Sequence, residues 1–302
     1  MKILVTGATG YIGGSVATRL LEHGHQVIGL ARSDEAATSL KKRGIEPMAG
    51  SLNDYGPLQQ AARSVDAVVN AAQADNPFVV LAILPQLSRT GKVFIQTSGS
   101  SIVSTYDEGE FVDRVFSEDT PVTPMPEKAT RAAIDSQVLR ASLDGVRSVV
   151  IRPTLIYGRG IGVESSSVQI PRLIEQAQKG VARHIGRGLN VWSNVHIADV
   201  ADLYLLALEH APAGSLFYAE NGEASMKSTV ESISRMLGLG GRTEDWPIEQ
   251  AAAALGSGAH LTFGSNSRVR ADKARRVLGW EPKGPSLQHE IEQGVYKQLY
   301  GR

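Results

Sequence analysis

Residues 5–14 read VTGATGYIGG. Gly7, Gly10 and Gly13 are spaced GxxGxxG, directly after the strand-like run KILVTG and at the opening of a helical stretch. Each glycine has a physical task in such a turn. Gly7 lets the chain bend tightly, Gly10 lets a pyrophosphate come close to the backbone, and Gly13 lets helix and sheet approach. A diphosphate would rest on the helix N-terminus, where free N–H groups and the positive end of the dipole favour anions. A glycine-rich turn alone arises by chance, but strand, turn and helix in register make a dinucleotide site the better reading, with Thr9, Tyr11 and Ile12 in the cradle.

Outward from this turn, HQVIGLA, VDAVVNAA, KVFIQTS and RSVVIRP are further short apolar runs rich in Val and Ile. They read as strands buried on both faces. Amphipathic stretches such as SVATRLLEHG and EAATSLKKRG lie between them, each closing on a glycine. This alternation predicts an α/β fold, a Rossmann-type doubly wound parallel sheet. Beyond about Tyr157 the rhythm changes to helices such as IPRLIEQAQKG, DVADLYLLALEHA and STVESISRMLG, with short strand-like pieces such as SLFYAE. The expected organisation is a nucleotide-binding domain over 1–157 and a smaller, mostly helical substrate lobe over 158–302, interleaved with the sheet. Glycines at 109 and within 256–264 suggest mobile loops.

Composition narrows the function. The 302 residues carry 31 basic and 31 acidic side chains, so no charge excess favours nucleic acid or an anionic membrane. The absence of cysteine excludes disulfides and thiol chemistry. Seven scattered histidines offer no metal-ligand spacing, so no metal is expected. No apolar run approaches the roughly 20 residues that span a bilayer, and no signal-peptide pattern precedes the first strand, which leads to a cytoplasmic setting. Helices flanking such sheets often pair, leaving a homodimer open.

The second strand ends GLARS. NAD-binding sheets usually carry an acid here to accept from the ribose hydroxyls. Arg32 and Ser33 stand there instead, and a guanidinium suits a 2′-phosphate. The cofactor expected is therefore NADP(H).

With TGATGYIG, SVDAVVNAA, QTSGSS, RPTLIYG, NVHIADVADLY and LGWEP in order, the chain resembles extended or atypical short-chain dehydrogenases/reductases. It is similar to the NAD-dependent epimerase/dehydratase group over essentially its whole length. The resemblance implies that Ser51 and Leu52 contact adenine, that Ala71 and Ala72 line the cofactor, and that Pro153, Leu155 and Ile156 flank the nicotinamide. Residues 98–101 fall on the family's serine position, and Tyr157 resembles a residue common in the family.

The family's catalytic pair is a tyrosine with a lysine four residues on, commonly followed by a glutamate four further. In PMPEKATRAAID, residues 124–135, Arg131 and Asp135 fall on the last two positions and Glu127 on the tyrosine. A second register puts Lys128 on the lysine but Pro124 on the tyrosine. Either way the tyrosine is missing. The first register makes Ala132, Ile134, Val138 and Leu139 one buried helix face. Arg131 can hold ribose hydroxyls but is too basic to transfer protons. Glu127 could do so if burial raised its pKa, or it is an exposed acid in a first helical turn. Ser98, Ser100 and Ser101, with Tyr106 further along the loop, could polarise a carbonyl and protonate it. Tyr157, Trp192 and Asn194 are candidate substrate contacts, while His196 reads as structural, with Asp199 capping the next helix.

Three functions remain open at this point. One is NADPH-dependent reduction of a small carbonyl, enone or imine. Another is redox-neutral isomerisation, dehydration or cyclisation with Glu127 as base. The third is non-catalytic NADP sensing.

Overall fold

The computed structural model describes residues 1–301. β1 (Lys2–Thr6) runs into α1 (Tyr11–Glu22), β2 (Gln26–Ala31) into α2 (Asp34–Lys41) and β3 (Glu46–Ala49) into α3 (Tyr55–Ser64). β4 (Ala67–Asn70), α4 (Pro77–Leu87) and β5 (Val93–Thr97) follow. A long connection then leads through a 3₁₀ turn at Pro126–Lys128 into α5 (Ala129–Arg140) and β6 (Arg147–Pro153). Past it come β7 (Leu155–Tyr157), α6 (Gln169–Ala177), β8 (Arg183–Ile185), β9 (Val191–His196), α7 (Ile197–His210) and β10 (Ser215–Ala219).

Seven strands form one parallel sheet in the order β10-β6-β5-β4-β1-β2-β3. This is the doubly wound architecture expected from the sequence. The order reverses between β1 and β4, so a crevice opens at the carboxyl ends of these strands. Ile3, Leu4, Val68, Phe94, Ile95 and Val149 are fully buried between the helical layers, which accounts for their continuous apolar runs. In register, Ile3 lies opposite Val27 on one side and Ala67 on the other.

A division at residue 157 separates the sequence but not the sheet. The segment SLFYAE supplies β10, which pairs with β6, and α7 packs against α1. The second lobe has its own core, including Leu155, Tyr157, Leu173, Trp192, Met226 and Trp246. β11 (Glu223–Ser225) pairs with β9, and β9 with β7, in a small sheet beneath it.

Gly109, read as part of a mobile loop, is held in place. Gly109 is buried at φ +88°, its N–H donates to Gly264 O at 2.9 Å, and its carbonyl accepts from Leu189 N at 2.7 Å. A Cβ there would lie 2.0 Å from Ile185 O, so glycine is required for this closeness and fastens the long loop to the second lobe. Among the described residues no helix is long and apolar enough to cross a membrane.

Candidate active site at the carboxyl ends of the strands

The glycine turn forms a close-fitting cradle. Gly7 has φ +72°, and its carbonyl accepts Gly10 N–H at 2.8 Å. A Cβ on Gly13 would stand 2.3 Å from Gly7 O, so α1 packs on the turn closer than a side chain allows. Gly10, the N-cap of α1, meets only Gly7 O, at 3.3 Å, and otherwise opens into a cavity of 390 Å³. A pyrophosphate fits this arrangement, with its charge at the helix N-terminus.

The cavity runs from Gly10, Tyr11, Ile12 and Gly13 past Ala71 and Ala72, at the end of β4, to Ser98, Gly99, Ser100 and Ser101 after β5. Lys128 and Arg131 face it from the start of α5, and Pro153, Thr154 and Ile156 from the β6–β7 junction. Val168, Gln169, Trp192 and Thr262 close it from the second lobe.

The hydrogen bonds decide what these groups can do. Ser98 donates to Asp135 Oδ2 at 2.8 Å, and Arg152 Nε donates to the same oxygen at 2.8 Å. Asp135 is 1% exposed, and its Oδ1 has no hydrogen-bond partner among the described residues. Burial pushes its carboxyl above the usual range, opposed by Arg152 and Ser98. The Ser98 hydrogen is therefore committed to Asp135. The Thr154 hydroxyl donates to Ala219 O at 2.9 Å, and Tyr11 to Gly158 O at 2.9 Å. Ser100 is fully buried, with its Oγ 3.0 Å from Ser267 Oγ.

Ser101 differs. Its Oγ accepts from Arg131 Nη1 at 3.0 Å, leaving its own hydrogen free for a substrate oxygen. Arg131 is held by Asp75, with Nε 2.9 Å from Oδ1 and Nη2 bonded to Oδ2. Burial alone would raise the Asp75 carboxyl, but the Arg131 bonds and charge outweigh it and hold it low. Ser101 is thus a hydroxyl donor backed by a guanidinium, the kind of group that stabilises charge developing on a carbonyl oxygen.

Several sequence-based assignments need correction. Glu127 is exposed and does not line the cavity. Its carboxylate bonds the Tyr106 hydroxyl, which lowers its pKa and keeps it ionised, the reverse of the raised acid that proton transfer would need. Tyr106, half exposed, lies outside the cavity with Glu127 and edge-on to His260. Tyr157 is fully buried and donates to Pro285 O at 2.8 Å, so it cannot touch substrate. Leu155 points into the core of the second lobe. Asn194 faces a separate cavity with Gly222 and Ser228. Thr9 and Leu52 line neither cofactor-side cavity, Leu52 packing on the core instead. His196 itself caps α7 through Nδ1, and Asp199 accepts from Lys283 N and Gly284 N.

Asp75 and Arg152, which brace Arg131 and Asp135, carried no signal in the sequence, while Asp135 was placed only by its position in the helix register. Only the second register of the helix carried a signal for Lys128. At the end of β2, Arg32, Ser33 and Ser51 share a cavity of 270 Å³ with Asp34 and Asp54. Ser33 Oγ caps α2, and Asp54 Oδ2 accepts from Ser51 N. Among the described residues no cluster of histidines and acids could hold a metal.

A sequence profile of the NAD dependent epimerase/dehydratase family matches residues 3–217. The chain belongs to this family. It is 31% identical over 339 residues to an oxidase of Acremonium, covering 98% of this chain and 97% of that one. It is also 31% identical over 264 residues to a 2-alkyl-3-oxoalkanoate reductase of Stenotrophomonas maltophilia, covering 79% of this chain and 76% of the relative. The dTDP-glucose 4,6-dehydratase of Bacillus anthracis, solved with NAD, superposes with a TM-score of 0.76 at 20% identity, over 99% of this chain and 96% of that one. At that identity the match shows the shared fold. As a member of the family the chain is an enzyme, an oxidoreductase of the short-chain dehydrogenase type.

Proposed function

We propose that the chain is an NADPH-dependent reductase of a small carbonyl, enone or imine. The observation that carries this reading is the Arg131–Ser101 pair, which leaves one hydroxyl free to donate in a cavity continuous with the glycine cradle. Gly10 and Gly13 would hold the diphosphate, Ala71 and Ala72 the ribose side, and Pro153 and Ile156 the nicotinamide side. When bound, the reduced nicotinamide supplies a hydride. Ser101 and Arg131 then stabilise charge growing on the substrate oxygen. The phosphoester preference is read from Arg32, which faces its cavity beside Ser33 where an NAD site would present an acid.

The relatives named as an oxidase and a 3-oxoalkanoate reductase support redox chemistry on a carbonyl. The redox-neutral alternative needs a base at Glu127, and Glu127 lies outside the cavity. A panel of ketones, 3-oxo acids, enones and imines, followed by NADPH absorbance, tests the reading. Steady consumption with formation of reduced product is expected. Conversion of a substrate without cofactor consumption would sink it.

A further inference from the structure

We propose that Lys128 is the acid of this site, protonating the substrate oxygen in place of the absent tyrosine. The inference rests on the reductase reading above. Its first support is elimination. Among the hydroxyls facing the cavity, those of Tyr11, Ser98 and Thr154 are spent on Gly158 O, Asp135 and Ala219 O. Ser100, Ser101 and Thr262 also face the cavity and can donate hydrogen bonds, but a serine or threonine hydroxyl does not give up its proton near neutral pH. Arg131 is permanently charged.

Placement is the second support. Residues 126–128 form a 3₁₀ turn that runs directly into α5. Lys128 is the N-cap of α5 and stands three residues before Arg131, a spacing that shares one helix face, and both side chains line the cavity. Glu127, one residue earlier, is exposed and bonds Tyr106 instead. The residue about one turn before the cation that lines the cavity is therefore 128 rather than 127.

The third support is that the ammonium is unused. Lys128 lines the cavity, half-buried, and its ammonium makes no hydrogen bond or ion pair among the described residues, while Arg131 beside it is fully engaged. Burial and then the positive charge of Arg131 push its pKa below the usual lysine range. Asp75, on the loop after β4, and Glu127, on the same turn, oppose that shift. An ammonium so placed on the cavity wall is a stronger acid than a free one.

The step balances. As hydride adds to the carbonyl carbon, the C=O π pair moves to oxygen, and the dihydronicotinamide is oxidised to its nicotinamide form. That oxygen forms a bond to a proton from Lys128 Nζ. The N–H electron pair stays on nitrogen as a neutral amine, which regains a proton from water. Ser101 donates to the same oxygen throughout.

Lys128→Met and Lys128→Arg, measured on a carbonyl that the wild type reduces, test this alongside calorimetric titration of NADPH. A pH-series of amine labelling read by mass spectrometry follows Lys128 in the wild type. Both variants are expected to lose about 10²-fold or more in kcat. NADPH affinity should stay within about threefold, because general-acid loss acts on turnover rather than on binding. Wild-type turnover should fall as pH rises through the Lys128 pKa, since only the ammonium can donate, and that limb should vanish in both variants. The labelling midpoint of Lys128 should lie below that of the surface lysines. Lys128→Arg with near-normal turnover would mean that charge alone matters and would overturn the proposal. So would a loss of NADPH affinity matching the loss in kcat, which would make Lys128 a cofactor holder. An active wild type with an equally active Lys128→Met defeats this inference alone. A wild type that reduces nothing in the panel defeats the reductase reading and this inference with it.

Discussion

Replacing Gly10 and Gly13 separately with alanine should split ligand binding from folding, although the two glycines lie three residues apart. At Gly13 the new methyl would sit 2.3 Å from Gly7 O and 2.7 Å from Gly7 C, both backbone atoms of a tight turn. That is roughly 1 Å inside the optimal separation of non-bonded heavy atoms, so the turn or α1 must move. Overpacking of this kind costs about 1–3 kcal/mol, and the immobility of the backbone places it at the top of that range. Alanine returns about 1 kcal/mol of helix propensity, leaving a net loss of about 2 kcal/mol. With 302 residues and about 2.1 cal/mol/K of unfolding entropy each, this lowers Tm by about 3 °C. Gly10 has φ −86° and ψ 174°, a conformation any residue adopts, and its methyl would meet only Gly7 O at 3.3 Å. Gly10→Ala should therefore melt within about 1 °C of the wild type. Its methyl, however, opens onto the cavity and holds a pyrophosphate off the helix N-terminus. Losing one to two charge-assisted hydrogen bonds, each worth about 1.5–3 kcal/mol, weakens NADPH by at least about tenfold. Scanning calorimetry and titration calorimetry read the two effects. Gly10→Ala binding NADPH within threefold of wild type would refute the assignment of the diphosphate to this turn, and an unchanged Tm for Gly13→Ala would refute the packing argument.

Arg32→Ala should weaken NADPH by about tenfold, the low end of a charged hydrogen bond for an exposed guanidinium, and leave NADH unchanged; equal losses in titrations with both cofactors would remove the 2′-phosphate role. Glu127→Gln should reduce turnover less than about tenfold and keep both limbs of the pH–rate profile, because general acid–base loss costs about 10²-fold or more and Glu127 stands outside the cavity. Asp135→Ala should leave the Arg152 guanidinium, 8% exposed, without its carboxylate; breaking such a buried pair costs about 3–5 kcal/mol, a fall in Tm of about 5–8 °C by calorimetry, and a fall below about 2 °C would contradict it.

The fold was legible because its central strands are buried on both faces. Continuous runs such as Ile3–Val5 and Val68–Val69 have no polar face to obscure them, and the glycine turn names the sheet's first connection. Where the reading failed, it failed at junctions. SLFYAE reads as a strand from its residues and the two halves were expected to interleave, but its partner β6, 66 residues upstream, is set by tertiary pairing that no local residue names. Gly109 reads as a flexible point because the carbonyl of Ile185 that demands glycine there is distant in sequence. Tyr157 resembles a family residue in type, but β7 belongs to the small sheet and turns that side chain into the lobe's core.

The catalytic helix shows the same limit at the scale of one residue. Spacing motifs count residues and assume a constant helical pitch, so four positions before Arg131 points to Glu127. α5 begins only at Ala129, so Glu127 lies in the preceding 3₁₀ turn and is exposed, while Lys128, three residues before Arg131, lines the cavity. A second case is Asp135, which an amphipathic pattern treats as a break in the apolar face between Ile134 and Val138. Its carboxylate meets Arg152 on β6 and Ser98 after β5, so the polar residue belongs to the buried face by virtue of partners seventeen and thirty-seven positions away. One consequence follows for the chemistry. Ser98, the first serine of its cluster, is held by that buried acid, whereas among the described residues the Ser101 hydroxyl bonds only Arg131, which is why the proposed reduction uses Ser101 as the hydrogen-bond donor. A helix that lost its tyrosine has kept a cation at the next turn, and that cation now orients a hydroxyl instead of a phenol.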